Sequence, residues 1–210
     1  MTVFALIADE RRALADQLEG LTAEQWRTPS LCGEWSVHDV LAHLTVPLTF
    51  KPAAGLVQFV RHRFDIDATI VALTAEQARR PSSELVETLR SKAGSTFEPP
   101  GAGPGAPLTD IIVHGQDIRR PLGLERAVPA EALGLALDFL AGKRTRGFMP
   151  KGRTTGLALV ATDIDWKAGG GEVVRGPALS LALALTGRTV GLDDLDGDGV
   201  AILRSRLSGS

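Results

Sequence analysis

Apolar side chains return every three or four residues through most of the first two thirds of the chain, and that period commits the region to packed helices. Residues 3–19 place Phe4, Ile7, Ala8, Leu14 and Leu18 near helical spacing, with Glu10, Arg11, Arg12, Asp16 and Glu19 mostly on the other side, and Gly20 ends the helix. Thr22 to Gln25 has the spacing of a capping box, and Pro29 and Cys32-Gly33 read as a loop. Ser36 is the natural N-cap of the next helix, whose apolar stripe is Val37, Val40, Leu41 and Leu44, and Pro47 should kink or end it. Residues 53–79 look helical, and Pro81 to Glu84 opens a further helix through Leu85, Val86 and Leu89. Four prolines and three glycines over 98–107 exclude either regular ladder there. A helix is expected from about Thr109 to Arg120, closed by Leu122-Gly123, and Pro129 starts another along Leu133, Leu137 and Leu140.

After Gly142 the texture changes. Lys143, Arg144, Arg146, Lys151 and Arg153 make a basic stretch that reads as a linker. Beyond it, 156–162, 163–168 and 172–175 resemble strands around a Gly169-Gly-Gly171 turn, Pro177 to Thr186 a helix, and 199–204 a closing strand. The expected architecture is therefore α+β: a helical region over 1–145 followed by a small α+β domain over 150–206. Length permits this, since 210 residues can bury one large core or two smaller ones.

Composition narrows the function classes. With 44% hydrophobic and 23% charged residues the chain is globular and not disordered. A formal charge of −2, with both signs mixed throughout, argues against nucleic acid as the main partner. The single cysteine, Cys32, cannot form an internal disulfide, so the chain reads as cytoplasmic, and Cys32 reads as a small buried residue beside Gly33. The apolar run Val3 to Ala8 is too short for a signal-peptide core, and no stretch approaches the roughly 20 apolar residues of a membrane-spanning helix.

Four histidines are available for chemistry: His38, His43, His62 and His114. His43 sits within the apolar stripe of its helix, and an imidazole facing a packed interior needs a partner. Asp110 and His114 are four residues apart, hence about 40° apart around a helix and about 6 Å along it, a gap that one side of a metal ion fits. The same spacing is also that of an ordinary exposed ion pair. One histidine on one helix with a carboxylate and a histidine on another is how bundles build metal sites, and three N/O ligands with room for a further one is the catalytic form of a zinc site. Asp117, three residues beyond His114, has three open roles: an extra ligand, an acid/base group, or, best, a group that orients the imidazole. His38, about 140° round the helix from His43, and His62, between Arg61 and Arg63, read as structural. The Asp194 to Gly199 string lacks the glutamate that would complete a calcium loop and reads as a turn.

The segment from Gly33 to Leu44, with Trp35, His38 and His43, resembles the signature of the mycothiol-dependent maleylpyruvate isomerase family, part of the DinB-like metal-binding superfamily. Asp110-Ile-Ile-Val-His114-Gly-Gln-Asp117 through Gly123 resembles the family's second metal-binding segment, and the tail from Gly156, with Thr162 to Trp166, Gly176-Pro177 and Thr186-Gly-Arg188, is similar to its small C-terminal domain. The resemblance implies an antiparallel DinB-like four-helix bundle. It implies His43 and His114 as ligands of a divalent metal, zinc, with Asp110 where the isomerase carries a glutamate one methylene longer. It implies mycothiol as cosubstrate and a small electrophile as substrate, in an isomerase or an S-transferase. An acidic electrophile would need a cation: Arg119, Arg120 and Arg188 are available, and Arg188 is the choice because it lies in the matching Thr-Gly-Arg string. The rival expectations are a bundle that keeps its metal for structure and binds a small hydrophobic ligand, and a regulatory protein that partners through its helices.

Overall fold

The computed structural model describes residues 1–50, 52–143, 145 and 147–207, with the backbone alone for 52–56. The chain is a helix-rich α+β protein with one small sheet. Its packing divides into two compact units, Met1–Glu98 with Asp110–Arg126, and Pro99–Thr109 with Ala127–Ser210.

The first unit is helical. It contains α1 (Val3–Leu18), α2 (Ala23–Arg27), α3 (Val37–Thr49), α4 (Pro52–Arg61), α5 (Ile66–Gln77), α6 (Ser82–Ser91) and most of α7 (Gly105–Arg119). Capping boxes start α2 and α3: the Thr22 and Ser36 side chains accept from the third helical N–H, and Gln25 and Asp39 return the bond. Helix α3 packs on α5 and α6, and α1 on α6. Leu14 and Leu18 of α1, Val40, Leu41 and Leu44 of α3, Leu85 and Leu89 of α6, and Ile111 and Ile118 of α7 share one buried core.

Several sequence expectations change here. Helix α3 runs two residues past Pro47, which sits in its last turn where little ladder remains to be lost; the proline has no N–H for the His43 carbonyl four residues earlier. The stretch 53–79 is two helices, broken where Arg63 and Phe64 turn with φ of 55° and 68°. Helix α7 starts four residues before Thr109, because Pro107 falls in its first turn, where the N–H has no intrahelical partner to lose. Glu10 and Arg11, expected mostly on the solvent side of α1, are buried at 1% and 4% exposure.

In the second unit, β1 (Leu157–Ala161) is central, paired antiparallel with β2 (Lys167–Gly169) and parallel with β3 (Glu172–Gly176). The chain crosses from one edge to the other past the start of β1, and a Cβ at Gly169 or Gly171 would collide with the Leu157 or Gly156 carbonyl. Helix α8 (Ala130–Ala141), which the sequence groups with residues 1–145, packs in this unit against α9 (Ala178–Leu185), a helix apolar on every side that needs cover all round. A 3-10 turn (Thr189–Asp194) follows α9. The closing element is not a strand but α10 (Gly199–Leu207): Gly199 and Leu203 are buried and Ala201 and Arg204 exposed, a burial period of four that a strand cannot produce. Among the described residues, no helix is long and apolar enough to cross a membrane.

Candidate metal centre

Helix α3 presents His43 on the edge of its buried stripe, and α7 presents Asp110 and His114 one turn apart with Ile111, Ile112 and Val113 turned into the protein. The three polar side chains meet. His43 Nε2 and His114 Nε2 each lie 3.6 Å from Asp110 Oδ1, and the two imidazole centroids are 4.7 Å apart. Their side chains keep 14–23% exposure, enough for a small ligand to reach them. For a tetrahedral ion with bonds of 2.0–2.2 Å, donor atoms should be about 3.4 Å apart, so the spacing and the two-nitrogen, one-oxygen chemistry fit a divalent cation.

What holds the rings supports the same fit. His114 Nδ1–H donates to Asp117 Oδ2 at 2.8 Å, and the Asp117 carboxylate is fully buried. With Nδ1 engaged by Asp117, Nε2 is the nitrogen turned toward Asp110. His43 Nδ1 lies 3.3 Å from Thr74 Oγ1 on α5. The loop before α3 contributes a wall: the Trp35 ring lies 5.2 Å from the His43 ring and 6.5 Å from the His114 ring. That loop is tied down by Ser30 N–H to the Trp35 carbonyl and by Leu31 N–H to the Asp117 carbonyl, so α7 and the loop are fixed together. Cys32, half-buried, brings its sulfur within 4.8 Å of His114 and Asp117 ligand atoms.

The electrostatics favour an ionised Asp110. Burial opposes its charge, but the hydrogen bond from His43 and the charges of His114, His43 and Arg11 outweigh it and hold the carboxyl below its ordinary range. Arg11 is itself buried, with Nη1 donating to the Ala93 and Ser95 carbonyls; desolvation lowers its pKa, and Asp110 opposes that.

The remaining sequence candidates fall elsewhere. His38 bridges Ser82 Oγ and the Ala78 carbonyl, a structural tie, and His62 sits beside Arg61 and Arg79 at a cleft of α4 and α5. Arg119 is no substrate cation: it is fully buried, bonded to Gln17 Oε1 at 2.7 Å and 3.5 Å from Glu10 Oε2. Arg188 belongs to the second unit, where its guanidinium donates to the Thr186 carbonyl at the end of α9. Reading the sequence alone missed Thr74, Arg11 and the position of Trp35; only Trp35, inside the motif that contains His43, carried a local signal.

Comparison with known proteins gives the family. The sequence matches the mycothiol maleylpyruvate isomerase N-terminal domain family over residues 7–119. The chain belongs to that family. Among solved structures it is similar to a mycothiol-dependent maleylpyruvate isomerase at 15% identity and a TM-score of 0.63, covering 93% of this chain and 91% of that one. A histidine-to-alanine variant of such an isomerase matches at 14% identity and a TM-score of 0.60, with the same coverage. At these identities the likeness is one of fold. No curated protein matches the sequence significantly.

Proposed function

We propose that the chain is a metal-dependent thiol enzyme, an isomerase or S-transferase that uses mycothiol against a small electrophile. The carrying observation is the convergence of His43 Nε2, His114 Nε2 and Asp110 Oδ1, three atoms that can each ligate a metal and that lie within 4.8 Å of one another. A divalent ion, zinc by its taste for imidazole and carboxylate, would lower the pKa of a thiol from about 8.5 so that it reacts as a thiolate at neutral pH. His43, Asp110 and His114 hold that ion. Asp110, one methylene shorter than the glutamate of the isomerase, is brought close enough by its place on the first inward turn of α7 within the unit. Asp117 keeps the Nδ1 proton on His114 and so keeps its lone pair aimed inward. Trp35 walls off the imidazoles and reduces competition from water. The fold that goes with this reading is the DinB-like four-helix bundle, with the small α+β region as the second part of the enzyme.

Cobalt substitution tests it. Adding a low-molecular-weight thiol to the cobalt protein should produce a sulfur-to-metal charge-transfer band, lost in His114→Ala. An unchanged spectrum would favour a structural metal and a non-catalytic binding protein.

A further inference from the structure

The two imidazoles of the candidate centre are held by unlike partners. His114 leans on a buried carboxylate, whereas His43 leans on a neutral hydroxyl from another helix. Thr74 is 2% exposed, so its hydroxyl must find its partner within the protein. Helical threonines elsewhere in the chain satisfy this locally. Thr49, Thr69, Thr88, Thr109 and Thr186 each donate to the carbonyl four residues earlier. Thr74 Oγ1 instead stands 3.3 Å from His43 Nδ1, across the α3–α5 contact.

We infer that Thr74 is the positioning residue of His43: its hydroxyl is the hydrogen-bond partner of Nδ1 and fixes the ring with Nε2 toward Asp110. The inference rests on the proposed metal centre. A neutral group suits the place, since the centre already carries the charges of Asp110, Asp117 and the nearby Arg11, and a third carboxylate would add one more. The hydroxyl orients the second imidazole without adding that charge. It also makes α5 part of the centre, although α5 supplies no ligand.

The test is the cobalt affinity and visible spectrum of the full chain, measured by chelator competition, for wild type, His43→Ala, Thr74→Val, Thr74→Ala and Thr74→Ser. Thr74→Val should bind cobalt about 10-fold to 100-fold more weakly, with an altered spectrum, and Thr74→Ser should recover wild-type affinity and spectrum. Rescue by serine separates orientation from packing, because serine restores the hydroxyl while leaving out the methyl. Thr74→Ala decides the matter if the valine variant does not fold, with the same loss expected. Wild-type affinity in His43→Ala would remove the metal centre itself. Loss in His43→Ala together with wild-type affinity in Thr74→Val or Thr74→Ala would overturn the role of Thr74 alone, as would failure of serine to rescue.

Discussion

Helix α7 takes part in two clusters of buried ionisable groups that are wired in opposite ways. Toward its C-terminus, Arg119 faces Glu10 and Gln17, and Glu10 also accepts from Arg126 Nε and Nη2 at 3.1 and 2.9 Å. Every close pair there joins a donor to an acceptor. One turn and more upstream, Asp110 Oδ1 meets the Nε2 atoms of His43 and His114, whose Nδ1 atoms are already engaged. The first arrangement balances charge within the fold, even though Arg119 Nη1 and Nη2 and Glu10 Oε2 have no hydrogen-bond partner among the described residues. The second gathers three groups able to ligate a metal, which is the physical ground for proposing a cation there.

If that contrast holds, substitutions in the two clusters should separate stability from metal binding. The largest effect should come from Glu10→Ala, which leaves the buried Arg119 guanidinium uncompensated: about 3–5 kcal/mol of stability should be lost in denaturant unfolding, with metal stoichiometry unchanged in the folded fraction. Asp110→Ala should do the reverse, weakening cobalt binding by more than about 100-fold, beyond what loss of an outer partner costs, while the metal-free protein unfolds much as wild type does. Asp117→Asn should fall between, about 10-fold to 100-fold in affinity, because the imidazole keeps a neighbour but loses its charge and its enforced tautomer. The smallest effect belongs to Gly115, where a Cβ would stand 2.7 Å from Arg119 Nη1. Overpacking costs about 1–3 kcal/mol and alanine returns about 1 kcal/mol of helix propensity, so Gly115→Ala should lose at most about 2 kcal/mol without altering metal affinity.

The same contrast explains what could be read from the sequence. Helices with a clean apolar stripe and a capping residue, such as α3 after Ser36, were legible because their signals are local. The spacing of Asp110, His114 and Asp117 was legible for the same reason. The charged cluster was not: Glu10 and Arg11 have the composition of a solvent face, and only partners about 80 to 115 residues away, the Ala93 and Ser95 carbonyls, Arg119 and Arg126, make their burial tolerable. Thr74 was hidden likewise, since a helical threonine that abandons its own backbone for a ring on another helix leaves no pattern in sequence. The run 199–204 reads as a strand by composition, and burial of one side at helical period overrode that preference.

Metal content tests the central claim most directly. Elemental analysis of the purified full chain beside His43→Ala and His114→Ala, each loaded with zinc and desalted identically, should give close to one equivalent for the wild type and almost none for either variant. Equal content in all three would contradict it.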